Sequence, residues 1–144
     1  MKVFGLIDIS GPFKYMARFI PDGGKNLQFL VAQGAAERLG CGNDAGAANC
    51  SAAFINHELS MFDFILNRDG KTVFGGAEAL RVATLQSARS MGLDKQYGSL
   101  EPGKVADLVV LDGDPLENYH LVGSPVAALF MDGKLVINHC GLQG

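Results

Sequence analysis

The chain has 144 residues, of which 48% are hydrophobic and 19% are charged, and its formal net charge is −3 at pH 7. This composition favours one ordinary domain, or a piece of a larger one, over a disordered chain, and gives no electrostatic reason to expect nucleic acid as a partner. No apolar run reaches the ~18 residues of a membrane helix, so we expect no membrane partner. Three cysteines without a CxxC spacing indicate reduced thiols and a cytoplasmic protein.

The first part of the sequence predicts a strand, a helix and a second short strand. Residues 2–9 read as a buried strand, and Pro21-Asp22-Gly23-Gly24 read as a turn. A helix is predicted over 26–39, with Asn26 as its N-cap and Gly40 as its C′ residue. The short strand from Cys41 to Asp44 follows. The expected apolar face of the helix is Leu27, Leu30, Val31, Ala35 and Leu39.

Two further helices are predicted before residue 92. The first covers 54–66 and is ended by the turn residues 67–70, and the second covers 77–91 and is ended by Gly92. The second helix is expected to bury the face formed by Leu80, Ala83, Thr84, Ser87, Ala88 and Met91.

After Gly92 the pattern changes to short strands and turns. Strands are predicted over 106–111, 126–131 and 135–138, and the last two are joined by Asp132-Gly133, a strong hairpin signal. The sequence therefore predicts an α/β part over residues 1–92 and a small β part over residues 93–144.

The strongest candidate for a functional residue is Asp44, which follows the predicted strand and precedes small residues. Carboxylates at the C-terminal ends of buried parallel strands are where α/β folds place their chemistry. A single Asp before a Gly-rich turn is more often a turn residue or a helix cap. The second half of the sequence shifts that balance towards function.

Three motifs occur in order along the chain: Gly42-Asn43-Asp44-Ala45-Gly46, the run from Glu78 to Leu93, and the run from Gly98 to Asp114. Together they resemble the C-terminal end of the amidohydrolase superfamily, of the imidazolonepropionase-like and dipeptidase-like kind. The resemblance implies an α/β fold: the C-terminal fragment of a TIM-barrel metal-dependent hydrolase over residues 1–92, and the C-terminal part of its small β-sandwich over residues 93–144.

The same resemblance implies a role for Asp44. It matches the family's aspartate at the end of the eighth barrel strand, which is a metal ligand or the general base for a metal-bound water. The implied cofactor is Zn or another divalent transition metal, and the implied reaction is cleavage of a C–N bond in an amide, a cyclic amide or a dipeptide. Asn43 stands where the family usually has Thr.

Most of the family's metal ligands are missing from this sequence. The chain has three histidines (His57, His120 and His139) and no His-x-His pair, whereas a catalytic metal needs three or more protein ligands. We therefore expect a partial amidohydrolase, with a small-molecule substrate if it is active. The alternative is a non-catalytic oligomeric remnant that needs no metal and that binds a small molecule or serves a structural role. In either case a homo-oligomer would cover exposed apolar faces.

Other candidates have simpler interpretations. His57-Glu58 could face the pocket near Asp44, but a solvated helix face is the favoured interpretation. Cys41 is expected to be a small buried hydrophobe. A nucleophilic Cys50 would need a base, for which His57 is the nearest histidine in sequence. His139-Cys140 is expected to be a loose tail.

Overall fold

The computed structural model describes residues 23–42, 55–67, 70 and 72–143. Within these ranges helices occupy the first half and a small antiparallel sheet occupies the second, so the chain has the expected mixture of helices and strands. The strand predicted over 2–9 lies outside the described residues. None of the described helices is both long and apolar enough to cross a membrane.

The first helix, α1, covers residues 23–30 and continues into a π-helical turn (Val31–Ala35) and a 3-10 turn (Ala36–Arg38). The predicted helix is therefore present, but its predicted N-cap is wrong, because Asn26 lies inside α1. Gly24 is already helical and buried, and its Cα packs beside the Ile65 side chain. This tertiary contact outweighs the low helix propensity of glycine.

The apolar face of this helical segment is narrower than predicted. Leu27 and Val31, four residues apart, both pack against the core, and so does Leu39 after the last turn. Leu30 lies on the flank of this stripe and is 49% exposed. Gly34 has a φ of +82° and interrupts the regular helical geometry, so the 3.6-residue period does not carry through to Leu39.

The segment after the first helical region was predicted as a strand from Cys41 to Asp44. Cys41 and Gly42 are not part of a sheet, and the next two residues lie outside the described ranges. All three strands within the described ranges belong to one sheet formed much later in the chain, so this segment has no described strand beside it with which to pair.

The two other predicted helices are confirmed to within a residue. Helix α2 covers Ile55–Leu66, and Phe54 lies outside the described residues. A second helical run consists of α3 (Gly76–Arg81), a π-helical turn (Val82–Gln86) and α4 (Ser87–Ser90). We refer to it below as the long helix. Gly92, with a φ of +70°, follows it as predicted.

The buried face of the long helix differs from the predicted one. The structure leaves Thr84 and Met91 exposed, although both were placed on the buried face. The π-helical turn has more residues per turn than an α-helix, so it shifts the phase of every later position relative to the α-helical period. The residues that are actually buried are Ala79, Val82, Gln86 and Ala88.

One hydrophobic core joins these helices. The ring of Phe74 packs against Phe62 at a centroid distance of 5.8 Å and edge-on against Tyr119 at 6.2 Å. Such tilted and edge-to-face pairs are favourable arrangements for aromatic rings. The core therefore includes a residue from the second half of the chain. Its buried members are Leu59, Leu66, Phe74, Ala79 and Val82.

The sheet contains strands β1 (Leu108–Val110), β2 (Ala128–Met131) and β3 (Lys134–Asn138), antiparallel and in the order β1-β2-β3. The three predicted strands are confirmed, although β1 and β2 are shorter than expected. The hairpin at Asp132 and Gly133 is also confirmed, since both residues have positive φ, at 50° and 74°. That combination is the type I′ geometry that suits a two-residue hairpin.

The helices and the second half of the chain touch closely at two glycines. A Cβ added at Gly76 would collide with the backbone of Leu116. A Cβ added at Gly98 would lie 2.8 Å from the Ala88 side chain. The division into residues 1–92 and 93–144 stays a prediction, but the two parts share contacts that only glycine permits.

Candidate functional site

Asp44, the predicted catalytic and metal-binding residue, lies outside the described residues, as do Asn43 and Cys50. The structure describes the chain up to Gly42, two residues before Asp44. It therefore shows how the approach to Asp44 is held, which is the first step in describing the candidate site.

The approach, residues 39–42, is anchored on the long helix. The backbone N–H of Cys41 donates a hydrogen bond to Ser87 Oγ at 2.9 Å, and Ser87 Oγ donates in turn to the Val82 carbonyl at 2.6 Å. Gly40 lies so close to this helix that an added Cβ would be 3.3 Å from Ser90 Oγ. The serines at 87 and 90 therefore fix the path of the chain towards Asp44.

The thiol of Cys41 is held in its neutral form. Its pKa is raised to about 11, first by burial and next by the negative charge of Glu58, while a hydrogen bond with Ser87 lowers it. A thiol with this pKa is a poor nucleophile at neutral pH, because the thiolate is the reactive form. Cys41 is therefore an unreactive small side chain, but it is only partly buried, whereas the sequence predicted a buried residue.

The influence of Glu58 on Cys41 corrects one prediction. His57 is exposed, as expected for a solvated helix face, but Glu58 is only partly exposed and its charge acts on the approach to Asp44. The first turn of α2 therefore lies close to residues 39–42. The amide oxygen Oδ1 of Asn56, in the same turn, is buried and has no hydrogen-bond partner among the described residues.

A polar network behind this turn was not predicted from the sequence. The hydroxyl of Tyr119 donates to Asp63 Oδ2 at 2.6 Å, and Asn67 Nδ2 donates to Asp63 Oδ1 at 2.6 Å. Asn67 Oδ1 also accepts from the backbone N–H groups of Val73 and Phe74, at 2.7 and 2.9 Å. The network therefore holds the end of α2 next to the start of the long helix.

This network shifts the titration of Tyr119. Burial raises the pKa of its hydroxyl to about 12, and the hydrogen bond and the charge of Asp63 add to the effect, while a hydrogen bond with Ser60 opposes it. The i, i+4 spacing of Asp63 and Asn67 on a helix was the only local signal of this network. The link to Tyr119 spans 56 residues, so no local pattern reveals it.

The divalent metal that the sequence motifs imply needs three or more protein ligands. Among residues 23–42, 55–67, 70 and 72–143, no group of three or more His, Cys, Asp or Glu side chains is placed to hold a metal ion. The described residues therefore do not form a ligand set.

The remaining candidates in the second half have structural roles. Asp114 Oδ1 accepts a hydrogen bond from the Leu116 N–H at 2.8 Å, as expected for a turn residue. The end of the chain is better held than predicted: the His139 N–H donates to the Ala127 carbonyl at 2.8 Å, and Asn138 Oδ1 accepts from the Leu142 N–H at 2.9 Å.

The turn over 98–104, which begins the third motif of the resemblance (residues 98–114), is held by its own side chains. Lys104 Nζ donates to Ser99 Oγ at 2.5 Å, and Ser99 Oγ donates to Glu101 Oε1 at 2.6 Å. These contacts lower the pKa of the Glu101 carboxyl. This motif therefore shapes a turn in the described structure and brings no group towards the approach to Asp44.

Comparison with known proteins gives a consistent picture. A model of the amidohydrolase family matches residues 23–136. A 5-methylthioadenosine/S-adenosylhomocysteine deaminase of Saccharophagus degradans is 36% identical over 107 residues, covering 61% of this chain and 24% of the relative. An imidazolonepropionase of Picrophilus torridus is 36% identical over 66 residues, covering 44% of this chain and 17% of the relative.

Among solved structures, the chain is similar to E. coli guanine deaminase, with a TM-score of 0.53 and 25% identity, over 70% of this chain and 27% of that one. The chain therefore spans about a quarter or less of the length of these relatives.

Proposed function

The chain belongs to the amidohydrolase family, as the motifs in its sequence indicated, and from this premise we propose that it takes part in the hydrolysis of a C–N bond. The single observation that carries the proposal is that the family match runs through residues 23–136 and so includes the segment that leads to Asp44. The relatives named above include two deaminases, which supports C–N hydrolysis as the class of reaction.

We propose that Asp44 is the residue of this chain that acts at the reacting centre, as a metal ligand or as a general base. It follows a segment that is anchored to the long helix by the Cys41–Ser87 hydrogen bond, and a fixed approach is what a positioned carboxylate needs. A divalent transition metal in such a site lowers the pKa of bound water to about 7. Zn is the first candidate, and the remaining ligands would come from residues outside the described ranges or from a second copy of the chain.

The proposed fold context is the last part of a TIM barrel. In such barrels the chemistry lies at the C-terminal ends of the strands. The segment 39–42 would be the eighth strand once its neighbours are present, and residues 93–144 would be the C-terminal share of a small β-sandwich. The proposed substrate is an amide, a cyclic amide, a dipeptide or an amino-substituted ring, since the deaminases among the relatives act on compounds of the last kind.

A second candidate is a non-catalytic homo-oligomer. The observation that favours it is the set of large apolar side chains left exposed in the described structure, among them Phe29, Phe64 and Leu100, at 63%, 68% and 78% exposure. A second copy of the chain that covered such side chains would remove apolar surface from water. Light scattering of the full chain separates a monomer from an oligomer.

The experiment that tests the catalytic proposal measures ammonia release. The full chain, supplied with Zn²⁺ or Mn²⁺, is incubated with a panel that includes 5-methylthioadenosine, guanine and simple dipeptides, and amine release is followed for the dipeptides. We expect turnover of at least one compound, lost in Asp44→Asn and retained in Asp112→Asn, whose carboxylate is exposed. An inactive oligomer with the wild-type sequence would favour the second candidate.

A further inference from the structure

A cleft of about 550 Å³ lies between the helical turns over 31–38 and the long helix. Its floor is apolar and includes Leu66, Phe74 and Val82, which belong to the hydrophobic core. A cleft of this size with an apolar floor is typical of sites that bind small molecules. Nothing in the proposed role of Asp44 uses it.

One buried polar group in this cleft has no partner. Gln86 lines the cleft and is only 8% exposed, and its amide oxygen Oε1 is buried without a hydrogen-bond partner among the described residues. Buried carbonyl oxygens are nearly always hydrogen-bonded, because an unpaired one loses its hydration without compensation. Gln86 lines the cleft, so rotation of its side chain would bring Oε1 to the cleft, where an N–H donor of a bound molecule would remove this cost. The cleft therefore favours a ligand that carries an N–H group.

A cation lies one helical turn beyond Gln86. Arg89 follows it by three residues and therefore lies on the same side of the long helix, where it also lines the cleft. Its ion pair with Asp94 is long, at 3.9 Å, and both side chains are about half exposed. Exposed pairs of this kind contribute little, so the Arg89 guanidinium is available to an anionic group on a ligand.

The opposite wall carries an anion. Glu37 lines the cleft from the 3-10 turn, is exposed, and makes no ion pair with a described residue. The two other charged residues of the cleft, Glu78 and Arg81, neutralise each other in an ion pair of 3.4 Å. The cleft therefore offers one anionic wall, one cationic wall, a buried acceptor and an apolar floor.

From this arrangement we propose that the cleft binds an α-amino acid with an apolar side chain. The ammonium group donates to Gln86 Oε1 and pairs with Glu37, the carboxylate pairs with Arg89, and the side chain lies on the apolar floor. A zwitterion matches the balanced charges of the two walls, and its N–H donors supply the missing hydrogen bond of Gln86.

Isothermal titration calorimetry of the full chain with L-leucine tests this proposal. We expect saturable binding of L-leucine and L-phenylalanine, weakened about tenfold or more for leucinamide, which lacks the carboxylate, and for N-acetyl-L-leucine, which lacks the ammonium. Glycine, without an apolar side chain, is expected to bind more weakly than either.

Matched variants distinguish a loss of ligand binding from a loss of folding. Gln86→Leu removes the unpaired carbonyl at nearly constant volume, so we expect it to fold at least as stably as the wild type and to lose L-leucine binding. Arg89→Met is expected to weaken binding about tenfold or more, whereas Arg38→Met, an exposed arginine that is not among the described lining residues, leaves it unchanged.

The proposal is overturned if no amino acid in the panel gives a saturable heat, or if Gln86→Leu binds L-leucine as the wild type does. It is also overturned if light scattering shows that a second copy of the chain covers the cleft and that Gln86→Leu abolishes this dimer. None of these readouts depends on Asp44 or on a metal, so failure of this proposal and failure of the catalytic one are distinguishable.

Discussion

Tyr119 and Asp63 show how one long-range hydrogen bond ties the second half of the chain to the helices. The bond is short, at 2.6 Å, and its acceptor is a carboxylate that also accepts from Asn67. Hydrogen bonds to charged groups contribute more to stability than neutral ones. The phenol ring also packs edge-on against Phe74 in the core. This residue therefore combines an apolar and a polar contact at the same junction.

Removing the Tyr119 hydroxyl is expected to destabilise the protein. Tyr119→Phe keeps the ring packing and deletes the hydrogen bond to Asp63, so we predict a loss of about 1.5–3 kcal/mol in the free energy of unfolding. Urea denaturation at pH 7 measures it. Tyr97→Phe is the matched control, because the Tyr97 hydroxyl makes no hydrogen bond with a described residue, and we expect it to change stability by less than about 0.5 kcal/mol. Equal effects of the two substitutions would contradict this account.

The same residue predicts a pH dependence at alkaline pH. The pKa of Tyr119 is about 12 in the folded protein and 10.0 in its unperturbed form, so the folded state holds this proton more tightly. Its contribution is therefore fully present below pH 10 and is lost as the pH rises from 10 to about 12. The difference in stability between wild type and Tyr119→Phe should shrink over this interval. A constant difference between pH 10 and pH 12 would show that folding does not raise the pKa of the Tyr119 hydroxyl.

Cys41 is predicted to be unreactive in the folded protein. With a pKa of about 11, only a very small fraction of this thiol is ionised at pH 8, so alkylation by iodoacetamide should be slow and should rise about tenfold per pH unit. In a Cys50→Ser background, mass spectrometry of the labelled peptides compares it with the exposed Cys140. We expect Cys140 to be labelled first. Labelling of Cys41 at the same rate would mean that the approach to Asp44 is open to solvent.

At the scale of elements, the contact between the long helix and the following turn depends on a glycine. Gly98 has a φ of +90°, and an added Cβ would lie 2.8 Å from both the Ala88 Cβ and the Leu85 Cα. The residue therefore meets two requirements at once, a left-handed backbone and a close approach to the helix.

A comparison of two glycines separates these requirements. Gly103 has nearly the same φ, +91°, but an added Cβ there meets nothing within 4 Å. Gly103→Ala should therefore lower the free energy of unfolding by about 1–2 kcal/mol, through backbone strain alone. Gly98→Ala should lower it by about 1–3 kcal/mol more, because its Cβ also overpacks against the helix. Urea denaturation of both variants measures the difference. Equal costs would show that the helix and the turn separate without penalty.

The sequence was a good guide to where elements occur and a poor guide to how they face each other. The hairpin at Asp132 and Gly133 and the end of the long helix at Gly92 follow from local backbone preferences, which sequence reveals directly. The buried face of the long helix was missed, because the π-helical turn after Arg81 changes the phase of the helical period. The prediction of Asn26 as the N-cap is wrong because the packing of Gly24 beside Ile65 overrides glycine's low helix propensity, so the helix already includes residues before Asn26.

In the candidate site, too, local sequence predicted some features and tertiary packing determined the others. Asp44 was selected from a short motif and a resemblance, and the structure adds the anchoring of its approach by Ser87, 46 residues away from Cys41 in sequence. The influence of Glu58 and the Asp63–Tyr119 bond were not predictable, since each joins residues on separate elements. Such contacts depend on tertiary packing, which no local pattern encodes.

At the scale of the whole molecule, the described part of the chain contains one hydrophobic core and several uncovered apolar side chains. The core joins α2, the long helix and the turn around Tyr119. The chain spans 24% of one related deaminase and 27% of guanine deaminase. We therefore place the proposed catalytic role of Asp44 in an assembly that supplies further ligands, and we keep the non-catalytic oligomer as the competing proposal.

The most direct test of the central claim is a metal-binding titration of the full chain, because the claim assigns Asp44 to a metal site. Zn²⁺ affinity is measured by competition with a chromophoric chelator for the wild type, Asp44→Asn and Asp112→Asn, alongside elemental analysis of the purified proteins. We predict about one tightly bound transition metal per chain in the wild type and in Asp112→Asn, and its loss in Asp44→Asn. Metal binding that is absent from the wild type, or equal in all three proteins, would contradict a metal-site role for Asp44.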